Sequence, residues 1–348
     1  MILNFFNDAS CIRWQARRTD GSAISGKCAF GAGWSDEVAK SLDCDIDRIT
    51  GVGYFLHHGG EYVKNTVNRI TSGNFDALAK CVKCLPEYND LTFKIASGWM
   101  KKLPGIPHVL VCDTAFFTRL PYEAKNYAIP HKLQQHDVRR YGRYGMSHLW
   151  ISGQVAQSLD NPAARIVSVY LGDHTNIAAI SGKKPMATSC GFTPIEGVLS
   201  ATGSGSIDPT IIFYLHASGM SFKEINEMLS LQSGFAALLG GEETAGFHEA
   251  LGAKKSGKAA VAREFYCYNV VKWMGSFIAV LGGVDVLVFF SEKPEMFGDV
   301  ISEICGKFAF LGLGKPSSPI KTYCFQHDKW RVMEESVMAL LKKGKITQ

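Results

Sequence analysis

The sequence has no long apolar run. Its longest apolar stretch, Ser276 to Phe290, is interrupted by Gly282, Gly283 and Asp285 and falls short of the roughly 20 residues that span a bilayer. A buried helix leading into a buried strand is expected there, not a membrane segment. Charge of one sign is not in excess: 37 Lys+Arg against 32 Asp+Glu leave +5. The basic pairs Arg139-Arg140 and Lys342-Lys343 are short, so no nucleic-acid surface is expected. The first residues, Met1 to Asp8, lack the basic start and apolar core of a secretory signal, and a cytoplasmic protein is expected. Ten cysteines contain a single CxxC, Cys81-Val82-Lys83-Cys84, without a second pair or histidines at zinc spacing. Reduced, partly buried thiols are the expected state.

What is present is an ordinary folded composition, 46% hydrophobic and 20% charged over 348 residues. At about 100–200 residues per domain, that length predicts two lobes. Two segments share one pattern. Ile2–Phe6, a polar kink at 7–10, Ile12–Ala16, a turn at Asp20-Gly21 and a further short run read as three antiparallel strands. Ile166–Leu171, a kink at 172–174, Thr175–Ile180, a turn at 182–184 and another run repeat it about half a chain later, which predicts a duplicated lobe. Apolar residues at three-and-four spacing predict helices over Phe75–Cys84, Phe222–Leu231, Ala259–Leu281, Val300–Leu311 and Trp330–Lys343, with a buried strand at Val284–Phe290. The sum is an α/β protein of two related lobes with a cleft between them.

Several stretches, in order, resemble the acetate kinase family. They are His58-Gly59-Gly60-Glu61 (HGGE), Val111 to Phe116 (FDTAF), Arg139-Arg140-Tyr141-Gly142 with Gly145 and Ser147-His148 (RRYGFHGTSH), Thr188 to Gly197 (TSMGFTPLEG), Gly205 to Pro209 (SGDIDP) and Leu281 to Asp285 (LGGVDA). The resemblance implies duplicated actin/hexokinase-like, ribonuclease H-like lobes around a central interlobe cleft. It implies a first lobe of residues 1–115 with a returning C-terminal helix, 330–348, and a second lobe of 116–329. It also implies a homodimer through the second lobe, ATP and Mg2+ as cofactors, and transfer of a phosphoryl group to a carboxylate.

The chemistry-bearing positions of that family are altered. Phe55 and Gly203 stand at its two arginines, Tyr88 and Tyr144 at two histidines, while Asp113 and His148 are retained. Phosphoryl transfer needs cations because charge spreads over the equatorial oxygens of the transferring group. Asn7 is kept as a metal position and Asp113 stands at an aspartate the resemblance places near the magnesium, whereas Lys329 or Trp330 replaces a magnesium-associated glutamate. In the nucleotide and phosphate loops, Asn7, Ser10, Gly172, Asp173, His174 and Ser291 mark the aligned positions. Apart from Gly172, the glycines that let backbone N–H groups approach a phosphate are replaced there, with His174 at the second glycine. The DMR stretch bordering adenosine is not recognisable in Glu242–Phe247. The acyl pocket becomes His57, Glu87, Arg143 and Pro194, and charge in a pocket built for a methyl group is costly unless paired; Glu87 and Arg143 are the expected pair.

The bland roles are a hydrogen-bonded strand-end carboxylate for Asp113 and structural hydrogen bonding for His58 and His148. The expectation is a catalytically impaired family member that keeps the fold for binding, regulation or scaffolding. Two alternatives stand beside it: an active ATP-dependent carboxylate kinase or phosphatase with a rebuilt cleft, and a subunit whose use is pairing.

Overall fold

The computed structural model describes residues 1–8, 11–18, 20–134, 137–240, 247–252, 257–315 and 317–343. The chain divides into two compact units. One holds Met1–Thr118, Gly145–Ser147 and Asp328–Gln348; the other holds Arg119–Tyr144 and His148–His327.

In the first unit, β1 (Ile2–Asn7) pairs antiparallel with β2 (Cys11–Arg17), which pairs antiparallel with β3 (Ala23–Ala29). On its other side β1 runs parallel to β4 (Gly51–Leu56), and β4 runs parallel to β6 (His108–Cys112), with β5 (Val67–Arg69) antiparallel at the edge. The order is β3-β2-β1-β4-β6-β5. Strand β1 is buried along its whole length, so it carries no alternation, whereas β2 buries Ile12, Trp14 and Ala16 on one face. The core is aromatic. Phe5 stacks on Tyr54 at 5.9 Å and packs on Trp99 at 5.3 Å and Trp34 at 6.4 Å. The C-terminal helix Lys329–Lys343 lies on this sheet, with Met333, Val337 and Leu341 against Gly53 and Gly51.

The second unit repeats the plan. Strands β7 (Arg165–Tyr170), β8 (Asn176–Ser181) and β9 (Lys184–Thr188) form an antiparallel meander, and β10 (Val286–Ser291) and β11 (Lys321–Gln326) extend it in parallel from β7. The order β9-β8-β7-β10-β11 matches β3-β2-β1-β4-β6 strand for strand. The long Gly257–Val280 helix buries Tyr266, Val270 and Met274 with Phe235, Leu287 and Phe289. The duplication read from two kinked meanders is therefore present in the topology of both sheets.

One predicted helix is broken. Val300–Leu311 is helical only over Gly298–Gly306, followed by a 3-10 turn at Ala309–Leu311. That turn ends at Gly312, whose φ of +85° belongs to the left-handed region that closes helices. Among the described residues no helix is long and apolar enough to cross a membrane.

Buried histidines sit in both units, among them His108 in the first and His148 in the second. In the first, Tyr54 donates its hydroxyl to His108 Nδ1 at 2.6 Å, while Nε2 donates to the Leu103 carbonyl at 2.9 Å. In the second, fully buried His148 places Nδ1 2.9 Å from Ser168 Oγ and Nε2 2.9 Å from the Asn176 amide. With that amide turned so that its nitrogen donates to His148, Asn176 also satisfies the Arg143 carbonyl and accepts from Ser189 and Cys190. This fixes His148 as the neutral Nδ1–H tautomer. Burial pushes its pKa down to about 3 from an unfolded value of about 6.5. The unfolded chain then binds a proton that the folded chain refuses. The His148 contribution is complete above about pH 6.5 and is lost as pH falls toward 3, approaching about 1.4 kcal/mol per pH unit once the unfolded imidazole is protonated. Urea unfolding at pH 7.5, 6 and 5 is expected to show declining stability, with a shallower decline for His148→Gln. An equal slope in the variant contradicts this assignment.

Candidate functional site

The candidate residues of the first unit collect at the carboxyl ends of β1, β4 and β6, where an open parallel arrangement leaves side chains free of the ladder. Several of them pack ring on ring. Phe55, 9% exposed near the end of β4, packs against Phe6 with ring centres 4.6 Å apart and against His57 at 4.8 Å. His57 continues to Tyr88 at 4.6 Å, and Phe6 meets Trp330 edge-on at 4.7 Å. The run Trp330–Phe6–Phe55–His57–Tyr88 thus joins two strands, the start of the Pro86–Lys102 helix and the C-terminal helix. His57 Nε2 also bonds the Asn7 carbonyl at 3.0 Å. Glu87, next to Tyr88, is exposed at the second position of its helix.

Asp113 is buried, 5% exposed, directly after β6. Its Oδ1 accepts the Met146 N–H at 3.2 Å, a carboxylate set at the start of the Gly145–Leu159 helix where the helix dipole favours negative charge. In the same loop region, Gly59 N–H donates to Thr114 Oγ1 at 2.9 Å and Gly60 N–H to His58 Nδ1 at 3.1 Å.

A second ring cluster occupies the second unit. Tyr144 packs on Tyr170 with ring centres 4.1 Å apart and planes tilted by 33°, and Tyr170 meets Phe290 at 5.3 Å and His327 at 5.6 Å. Phe290 in turn faces His148 edge-on at 5.2 Å. Tyr144 itself has φ of +56°, a left-handed conformation unusual for a bulky residue. The Arg143 guanidinium lies over the Tyr144 ring at 5.3 Å. His174 is half-buried, and burial, reinforced by Arg143, lowers its pKa to about 4, so it is neutral at pH 7. Asp173 beside it is exposed. Gly203 closes a turn with Ser200: its N–H donates to Ser200 Oγ at 2.7 Å, and its carbonyl accepts from Ser200 N–H at 2.9 Å. A side chain at position 203 requires Ser200 to move, because a Cβ there stands 2.7 Å from Ser200 Oγ. Pro194 is exposed, while Glu196 from the same stretch forms an ion pair with Arg140 and accepts the Tyr127 hydroxyl. Burial and Glu196 together push the Tyr127 pKa up.

Sequence reasoning did not single out Phe6, Tyr170 or Tyr127. Phe6 lies on a strand buried on both faces, so periodicity gave it no mark, and ring stacking between distant segments has no spacing signature. Ser10 and residues 242–246 lie outside the described residues.

Magnesium prefers octahedral oxygen ligands, carboxylates above all. Asn7 Nδ2 donates to Thr92 Oγ1 at 2.7 Å, and its Oδ1 is buried without a hydrogen-bond partner, one amide oxygen on a side chain 5% exposed. The expected carboxylate position falls at Lys329 or Trp330; Lys329 Nζ lies 5.8 Å from the Phe6 ring centre, and Trp330 meets Phe6 edge-on. Among the described residues no group of three or more His, Cys, Asp or Glu side chains gathers as a metal site. These residues do not fit a magnesium ion. Two backbone donors of the nucleotide loops are also engaged internally: Cys11 N–H by Asp8 Oδ1 at 3.1 Å in the first loop, and Lys293 N–H by Ser291 Oγ at 3.3 Å in the stretch aligned with the adenosine loop. A loop whose N–H groups are already bonded is a poor anion cradle.

Comparison with known proteins places this architecture. The model of the acetokinase family matches residues 33–322. An acetate kinase of Porphyromonas gingivalis is 32% identical over 319 residues, 85% of this chain and 79% of its own. The crystal structure of Porphyromonas gingivalis acetate kinase superimposes with a TM-score of 0.86 at 26% identity, covering 98% of this chain and 99% of that one. A propionate kinase from Francisella tularensis gives 0.83 at 25% identity, covering 96% and 98%. The chain belongs to the acetokinase family.

Proposed function

We propose that this member of the family does not carry out ATP-dependent phosphorylation of a carboxylate, and that it retains the fold for binding, regulation or scaffolding in the cytoplasm. The observation that carries the proposal is the continuous run of rings Trp330–Phe6–Phe55–His57–Tyr88. Phe55 and Tyr88 take the positions at which the family resemblance implies an arginine and a histidine. A phosphoryl group in transfer needs donors and cations aimed at its oxygens, and the loss of one such donor costs about 2.7–4 kcal/mol. With Gly203 and Tyr144 counted, four are gone, so the rate falls by at least about 10⁴, even with non-additivity. Arg143 rests on the Tyr144 ring and His174 is neutral at pH 7, which supports the same reading.

Thermal unfolding with magnesium–ATP, magnesium–ADP and acetyl phosphate tests it. A ligand at about 100 times its Kd stabilises by about 2.7 kcal/mol, a rise of several degrees for units of this size. No shift is expected with any of the three. A clear rise with either nucleotide overturns the proposal in favour of an active carboxylate kinase with an altered substrate, which ADP release across a carboxylate panel then identifies.

Pairing belongs to the same proposal. In the second unit the Thr210–Ala217 helix, Thr-Ile-Ile-Phe-Tyr-Leu-His-Ala, buries none of its residues, and Phe213 and Tyr214 are 66% and 71% exposed. Phe222, Leu231, Val261, Phe265 and Tyr268 are exposed on the Phe222–Leu231 and Gly257–Val280 helices. An apolar surface of this kind marks an association face, and a second copy is the occupant that the family resemblance supports. Sedimentation is expected to give a dimer that Phe213→Asp with Tyr214→Asp converts to a folded monomer. A monomeric wild type contradicts the pairing.

A further inference from the structure

The first unit holds a cavity of about 230 Å³ that none of the candidate residues lines. It lies between β5, the Ser72–Cys81 helix and residues 62–65. Its buried lining is apolar, with Val63, Leu78 and Leu110 inside and half-buried Ile70 and Ala77 beside them. Its exposed lining is polar, with Lys64 and Asn65 at the rim. The walls are fixed by bonds of their own. Ile70 N–H donates to the His108 carbonyl at 2.7 Å, Cys112 N–H to the Thr66 carbonyl at 2.8 Å, and Thr118 Oγ1 to the Lys64 carbonyl at 3.2 Å. Asn74 is engaged in the same frame: its Oδ1 accepts the Thr71 N–H at 2.8 Å, and its Nδ2 donates to the Arg69 carbonyl at 2.7 Å. A cavity held open in this way demands little ordering when a ligand enters.

Three polar side chains at the cavity are left for a ligand. Among the described residues Lys64 makes no ion pair, and no Asp or Glu lines the cavity. The Asn65 side chain makes no hydrogen bond among them, and Asn68 gives one N–H to the Asn65 carbonyl at 2.7 Å and keeps the second. One ammonium and amide N–H donors, with no carboxylate to oppose them, select an anionic head group. Size limits the rest of the ligand. An apolar cavity of about 150 Å³ holds benzene, so this one takes a body of ring size with a small head. It falls below the roughly 300 Å³ at which pockets for drug-sized ligands begin.

We propose that this cavity binds a small monocarboxylic acid with an aromatic or alicyclic body. The carboxylate is held by Lys64 with the Asn65 and Asn68 amides, and the hydrocarbon lies on Val63, Leu78 and Leu110. Acetate, which has no body for that floor, is not a ligand of this site. The site lies apart from the Phe55 ring run, and it takes its ligand whether or not a nucleotide binds elsewhere on the chain.

Titration of the full chain with para-fluorobenzoate, followed by fluorine NMR, tests this, with para-fluorobenzamide as the neutral control and acetate as a competitor. Saturable binding of the benzoate in the micromolar-to-millimolar range is expected, with the benzamide several-fold weaker and acetate unable to displace it. Lys64→Gln, at an exposed position, is expected to weaken binding several-fold. Ala77→Leu, which fills the cavity from its helix, is expected to abolish binding without lowering the melting temperature. Amide hydrogen exchange is expected to slow on binding at residues 63–78, with the Phe222–Leu231 helix unchanged. No saturable binding overturns the site, as does binding that Ala77→Leu leaves intact. Protection confined to other segments overturns the location whether or not that variant folds. Equal affinity for the benzamide, or an unchanged affinity in Lys64→Gln, overturns the anionic class, and displacement by acetate overturns the need for an apolar body.

Discussion

Ring-on-ring packing at the ends of β1 and β4 is the constraint on which the account rests. Phe6 touches Phe55 and Trp330, Phe55 touches His57, and His57 touches Tyr88. Each contact of this kind contributes about 0.5–1.5 kcal/mol beyond burial. Neighbours in one packed cluster are energetically coupled, so these substitutions act as a set. Placing a single polar residue in the cluster breaks the set.

The retained residues are held by structural bonds of their own. Asp113 receives the Met146 N–H at the head of a helix, and His148 is the neutral centre of a buried network with Ser168 and Asn176. Glu196 is tied to Arg140 and Tyr127. In the second unit, Tyr144 and Tyr170 form a tilted ring pair that extends to Phe290 and His327. Clusters of packed rings therefore occur in both units.

Much of the fold was legible. Kinked triple-strand patterns located both meanders, and the Phe222–Leu231 helix, amphipathic with Ile225 and Leu229 buried, begins and ends where its periodicity says. Strand β4 was not read from pattern, because Gly51 and Gly53 interrupt its apolar run and every position is buried. The Phe75–Cys84 helix tightens into a 3-10 turn at Val82, which short-range spacing does not distinguish. At the candidate site, motif comparison marked Phe55, His57, Tyr88 and Trp330 one at a time. That these side chains meet through Phe6 depends on pairing between β1 and β4 and on a helix more than 270 residues further along the chain. No local pattern carries such information.

The central claim is that position 55 does not accept a cation while this packing stands. Urea unfolding of Phe55→Arg beside the unmodified chain tests it most directly. Removal of a buried aromatic ring costs about 3–5 kcal/mol, and an unpaired buried charge adds to that. The midpoint is expected to fall by the equivalent of at least about 3 kcal/mol, with no acyl phosphate formed from magnesium–ATP and acetate. An unchanged midpoint, or turnover in the variant, contradicts the account.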